Sequence, residues 1–176
     1  VMGIINITPD SFFSGSRANT NHEILKQAEK MLNEGADFLD LGAYSSRPGA
    51  QDISEDEEEA RLLPAVALIS KEFKQAFISI DTFRAGVAEK AIHAGAHIVN
   101  DISGGNLDPK MFETVGKLKV PYILMHMKGT PQNMQSQTHY EDMMEEMMYY
   151  FSTKIQQLKA YGVHDIMIDP GFGFAK

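Results

Sequence analysis

Six short runs of aliphatic and β-branched residues, VMGIIN, DFLDLG, AFISID, HIVND, YILMHM and DIMIDP, recur along the chain with longer amphipathic stretches between them. The runs are nearly all apolar rather than alternating, as strands buried on both faces must be. The stretches 23–33, 54–73, 84–93, 109–117 and 140–161 carry helical periodicity. Three of them are followed by Gly35, Gly95 and Gly162, where a helix C-terminus favours a left-handed residue. Strict βα alternation forces a parallel sheet, because each strand must be re-entered from the same end through a crossover. The expectation is an α/β TIM (β/α)8 barrel, truncated to about its first six strands. A doubly wound open sheet is the competitor, and it would require the strand order to reverse at a switch point.

Composition narrows the function classes. With 176 residues, 43% of them hydrophobic and 23% charged, the chain can bury one core, so a single domain over 1–176 is expected. It opens on Val1 already inside an apolar run and stops at DPGFGFAK as a glycine-rich loop begins. The domain is therefore expected to be incomplete at its C-terminus and trimmed at its N-terminus. A formal net charge of -8 without a basic patch argues against nucleic-acid partners and anionic membrane surfaces. Zero cysteines rules out disulfides, thiolate metal sites and thiol nucleophiles. No apolar run has the length of a membrane span, and a cytoplasmic location is expected.

Local signals fit this alternation. Ser54 with Glu57 and Thr138 with Glu141 match the capping box. The acidic run SEDEEEAR then reads as a first helical turn whose carboxylates complement the macrodipole and stay solvated, rather than as a metal site. The methionines of EDMMEEMMYYF recur at helical spacing, which reads as core packing.

Polar residues cluster where the strands end. The first run ends at Asn6 and leads into TPDSFFSGSR, the second runs into YSSRPGA, and the third ends at Asp81 and Thr82. The fourth ends at Asn100 and Asp101, the fifth at His126, and the sixth at Asp169 before PGFGF. Each alone could be a cap or turn former, but in a barrel all six C-terminal strand ends open on one mouth. Asp81, Asn100 and Asp169 offer acceptors and one amide suited to a flat heterocycle with several N–H groups and a carbonyl. Arg47, beside Ser45, Ser46 and the Pro48–Gly49 turn, has the planar fork that suits phosphate or carboxylate. Asn6 could give one oxygen to a magnesium that neutralises a polyphosphate.

The ordered motifs MGIINITPDSF, DLGAYSSRPGA, ISIDTF, GAHIVNDISGG, YILMHMKGTP and IDPGFGFAK resemble those of the dihydropteroate synthase family along the whole length of the chain. That resemblance implies a barrel transferase of folate biosynthesis and a sulfonamide target. Such an enzyme joins 6-hydroxymethyl-7,8-dihydropterin pyrophosphate to 4-aminobenzoate with loss of pyrophosphate. It implies a pterin site at Asp81, Asn100, Met125 and Asp169, and it places Phe12, Ser46, Arg47, Pro48 and Phe174 around the aminobenzoate and the anion. Asn6 would lie at Mg2+, Arg47, Asp81 and Asp169 would be the catalytic groups, and the full-length protein would be a homodimer. The chain departs from the family pattern at Ser14, where an aspartate is usual, and at Ala43 and Tyr44, where glycine and glutamate are common. Ser46 replaces a threonine and Ala175 replaces a frequent glycine. Two alternatives are a non-catalytic pterin-binding module and a methyltetrahydrofolate-dependent methyltransferase domain. The Asn6 loop and the SSRPGA segment favour the synthase.

Overall fold

The computed structural model describes residues 1–8, 17–45, 52–130 and 133–176. The expected alternation is present: β1 (Met2–Asn6), α1 (Arg17–Asn33), β2 (Phe38–Gly42), α2 (Glu55–Glu72), β3 (Phe77–Asp81), α3 (Ala85–His93), β4 (Ile98–Asp101), α4 (Met111–Leu118), β5 (Tyr122–Met125), α5 (Met143–Ala160) and β6 (Ile166–Asp169). The six strands form one sheet in the order β1-β2-β3-β4-β5-β6, and every neighbouring pair is parallel. Spatial order therefore equals chain order. No switch point exists among these strands, which removes the doubly wound alternative and leaves six consecutive staves of a (β/α)8 barrel. The helices follow suit, each of α1 to α5 packing against the next.

Side chains alternate across the sheet, and the register carries that alternation unbroken from strand to strand. On one face Ile5, Leu39, Leu41, Ile78, Ile80, Val99 and Leu124 have no exposed surface, and they pack with Ile24, Leu62, Val66, Ile69, Val87, Met111 and Val115 of the helices. Each of these side chains contributes about 1.5 to 3 kcal/mol by leaving water. The opposite face is the barrel interior. It carries Ile4 and Asn6, Asp40 and Gly42, Ser79 and Asp81, Ile98 and Asn100, Ile123 and Met125, and Met167 and Asp169.

The helices depart from the sequence reading in four places. Ser54 caps α2 as expected, its hydroxyl accepting from the Glu57 amide at 3.2 Å, but Glu57 turns its carboxylate to Arg61 instead of completing the box. At α5 the expected cap is displaced. Asp142, not Thr138, ends the incoming chain, and its carboxylate accepts from the Met144 and Glu145 amides at 3.0 Å each, satisfying two donors where a hydroxyl would satisfy one. Within α5 only Met147 of the four methionines is buried, aligned with Phe151 and Leu158 on the core side, while Met143, Met144 and Met148 are exposed. The acidic turn of α2 contains one exception to solvation: Glu58 is fully buried.

Candidate active site

The polar strand ends sort by parity. Asp81 faces the interior, whereas Thr82 turns back and donates to the buried Glu58 at 2.6 Å. Asn100 faces the interior, whereas Asp101 lies on the helix side. There its carboxylate accepts from the Tyr122 hydroxyl (2.7 Å) and from the Ser103 and Gly105 amides (2.7 and 2.8 Å), holding the turn after β4. Met125 faces the interior, whereas His126 packs among Tyr140, Tyr150 and Phe151, its ring edge-on to Tyr150 at 4.8 Å. Thr82, Asp101 and His126 are thus parts of the scaffold. The group pointing into the barrel is in each case the residue before.

The interior groups fall in two rows, offset where β4 meets β5 because Asn100 lies opposite Ile123. Asn6, Gly42, Asp81 and Asn100 are register partners across four strands, and Met125 pairs with Asp169 across the next two. Gly42 keeps room for the acid beside it, since a Cβ there would come within 3.3 Å of the Asp81 carboxylate. One layer deeper lies Asp40, a residue the motif reading passed over, because an aspartate inside the hydrophobic run DFLDLG gives no signal of its own. Its Oδ2 accepts from Asn100 Nδ2 at 3.1 Å, which fixes one edge of that amide and leaves the carbonyl oxygen uncommitted to Asp40. Asp40 Oδ1 and the neighbouring Ser79 Oγ are buried outside good hydrogen-bond geometry to any group, although Ser79 lies near enough to act on the Asp40 carboxyl. Orphaned polar atoms of this kind mark a place that a ligand or water completes.

Electrostatics follow from the burial of acids without cations. Burial pushes Asp40 up from the usual carboxylate range against the opposing influence of Ser79 and Asn100. Burial, and then the charges of Asp40, Asp101 and Glu58, hold Asp81 well above it. None of the salt bridges among the described residues involves Asp40, Asp81 or Asp169. An N–H-rich ligand would relieve this excess of acceptors.

Asp169 spends Oδ1 on the Gly171 amide at 2.8 Å, so the sixth strand end shapes the loop after it. In that loop Phe174 packs on a small cluster of Ile102, Met125, Met127, Met134 and Ala175. Met125, an interior group, belongs to the cluster on which Phe174 packs. Ala175 keeps the left-handed backbone (φ 55°) that the glycine it replaces would adopt freely, and its carbonyl accepts from Tyr140 at 2.7 Å. Ala43 and Tyr44, the other described departures, are both buried. Asn6 ends β1 exposed to solvent. Phe12, Ser14, Ser46, Arg47 and Pro48 lie outside the described residues.

Comparison with known proteins bears on this geometry directly. The family model described as pterin binding enzyme matches residues 2–176. The chain belongs to the pterin binding enzyme family. Among curated relatives, dihydropteroate synthase of Synechocystis is 44% identical over 178 residues, covering 100% of this chain and 61% of its own length. The crystal structure of Yersinia pestis dihydropteroate synthase with a sulfonamide drug complex superimposes with a TM-score of 0.90 at 41% identity, covering 99% of this chain and 64% of that one. A Clostridium difficile dihydropteroate synthase determined in the presence of pteroic acid gives a TM-score of 0.90 at 38% identity, with 99% and 65% covered. The chain spans less than two thirds of the length of these relatives.

Proposed function

We propose that the protein acts as a dihydropteroate synthase, condensing 6-hydroxymethyl-7,8-dihydropterin pyrophosphate with 4-aminobenzoate to give 7,8-dihydropteroate and pyrophosphate in folate synthesis. The observation that supports this reading is the barrel interior, where Asp81 and Asn100 are register partners and Asp169 lies on the same face, with no described salt bridge to any of them. A pterin ring supplies the N–H donors such a floor lacks. Asp81 and Asn100 sit on adjacent strands, about 4.8 Å apart, within the span of one bicyclic heterocycle. Met125 offers a polarisable face to the ring.

The chemistry assigned to these residues is positional and electrostatic. Asp81, Asn100 and Asp169 hold the pterin so that the carbon bearing the diphosphate faces the second substrate, and the ring delocalises positive charge as the C–O bond lengthens. Arg47 would stabilise the departing diphosphate, with Ser46 and Pro48 beside it. Phe12 and Phe174 would wall the aminobenzoate, whose amine attacks the exposed carbon and gives up its proton.

The donor set fits a metal carried in by the diphosphate rather than a resident one. Among the described residues no group of three or more His, Cys, Asp or Glu could hold a metal ion, and Asn6 offers a single neutral oxygen at the mouth. Magnesium commonly binds in this way, keeping waters and substrate phosphates as its main ligands. Mg2+ would offset the charge of the diphosphate, with Asn6 as its protein contact. A homodimer of the full-length protein and a cytoplasmic location complete the proposal. The model contains no helix long and apolar enough to cross a membrane among the described residues.

The test is formation of dihydropteroate from the two substrates, followed alongside calorimetric pterin binding. Turnover supports the synthase. Pterin binding without turnover in the presence of 4-aminobenzoate and Mg2+ supports the non-catalytic module, and absence of both removes the proposal.

A further inference from the structure

The buried Glu58 breaks the pattern of its acidic turn. Its three predecessors in α2, Glu55, Asp56 and Glu57, are exposed, while Glu58 lies beneath the mouth of β3. One of its oxygens accepts from Thr82 at 2.6 Å and the other from the Arg84 guanidinium. Thr82 also accepts from the Arg84 amide at 3.2 Å, which fixes the backbone from which that side chain departs. Burial raises the Glu58 carboxyl, and Thr82 and Arg84 act against that rise.

The Arg84 guanidinium has further partners, and they lie on both sides of one loop. Nη2 donates to the Ile53 carbonyl at 2.7 Å and lies 3.6 Å from the Asp52 carboxylate, where the chain comes back toward α2. The same guanidinium carbon lies 5.5 Å from the centre of the Tyr44 ring, where the chain leaves β2. One group, itself held by a buried acid, thus lies against Tyr44 on one side and Asp52 and Ile53 on the other, the described residues that bracket most of SSRPGA. Buried ion pairs are poor sources of net stability, because desolvation offsets most of the attraction. A fork that is planar, always charged and able to stack on an aromatic ring suits simultaneous attachment in three directions.

We infer that Arg84, seated on Glu58 and Thr82, is a positioning residue that fixes where the SSRPGA segment leaves β2 and re-enters α2. On the synthase reading, the two ends that it holds bracket the residues assigned to the diphosphate. This role rests on the proposed synthase reading for its consequence, but not for its geometry. Arg84→Lys keeps the charge beside Glu58 and loses the two-pronged reach and the ring contact.

The experiment compares the unaltered protein with Arg84→Lys and Glu58→Gln by melting, by amide hydrogen exchange without ligand, and by calorimetry with magnesium pyrophosphate and with a pterin. The expected result for Arg84→Lys is exchange at least tenfold faster in peptides covering 45–53, with α2 beyond residue 60 and β3 unchanged. Affinity for magnesium pyrophosphate should fall at least fivefold while pterin affinity stays within twofold. Glu58→Gln, which keeps an acceptor for Thr82 but weakens the seat of the guanidinium, should move the same readouts in the same direction by less. Unchanged exchange over 45–53 in a folded Arg84→Lys protein would overturn the inference. So would faster exchange spread evenly through α2 and β3, or unfolding of both variants, since each would make the network a general brace. If the unaltered protein binds neither pyrophosphate nor pterin, the synthase reading fails while exchange still decides the role of Arg84.

Discussion

At the scale of single residues, the two oxygens of Asp169 have different duties. Oδ1 holds the Gly171 amide, so Oδ2 is the oxygen free for a ligand. In Asp169→Asn the amide oxygen can keep the loop bond and the NH2 is then directed at the ligand, opposing donor to donor. We expect pterin affinity to fall by about 1 to 3 kcal/mol with pyrophosphate affinity unchanged, as calorimetry would show. Equal losses for both ligands would mean the loop, not the floor, was damaged. His126 makes a separate forecast. Burial, then the charges of Lys176 and Lys128, lower its pKa from the ordinary 6.5 to about 4, and its Nδ1 is buried without a partner. The unfolded chain therefore binds more protons at this residue between pH 6.5 and 4, so its contribution to stability is present above 6.5 and is lost as pH falls to about 4. The raised carboxyls Asp40, Asp81, Asp101 and Glu58 act in the opposite sense, losing stability as pH rises through their folded pKa values. Urea titrations of His126→Phe against the unaltered protein isolate the histidine. The loss of stability on acidification below pH 6.5 should be smaller in the variant, and an identical pH dependence would refute the assignment.

At the scale of the element, the two hydroxyl caps read from the sequence met different fates. Ser54 is followed directly by helix, so its hydroxyl meets an amide that has no other partner. Thr138 follows the short turn Met134–Ser136, and just beyond it Lys128 donates to the His139 carbonyl and to Glu146. These ties hold the chain off helical geometry until Asp142. Asp142→Ala should therefore cost about 1 kcal/mol in chemical denaturation, and Thr138→Ala close to nothing. Comparable losses would restore the earlier boundary. The same contrast explains what could be read in advance. Strand and helix order, and the interior positions of Asp81, Asn100 and Asp169, were legible because strand alternation is a short-range rule. Asp40, Glu58 and the sorting of Asp101 and His126 onto the helix side were not, because they depend on the inter-strand register and on partners 21 to 60 residues away.

At the scale of the whole molecule, the described sheet has two edges, β1 pairing only with β2 and β6 only with β5. Apolar groups lie open on and near them: Ile4 is 57% exposed and Ile168 52%. Unpaired strands with apolar flanks recruit other strands. Sedimentation of the 176-residue chain should therefore show a concentration-dependent ladder of species rather than one closed dimer, and Ile168→Lys should shift it toward monomer. A single monomeric species for the unaltered chain would refute this. The row from Asn6 through Gly42 and Asp81 to Asn100 has a different kind of consequence. It exists only while four independently encoded strands keep the same count of residues below the mouth. Losing one codon upstream within β3 would exchange Asp81 with Thr82 or Ile80 at the interior, turning a carboxylate into the helix layer and a mismatched group into the site. The same loss in an exposed turn such as the one after α4 would be absorbed by the connection. Length variation among descendants of this chain should therefore collect between the staves and spare them, a signature visible in any set of natural variants before a single assay is run.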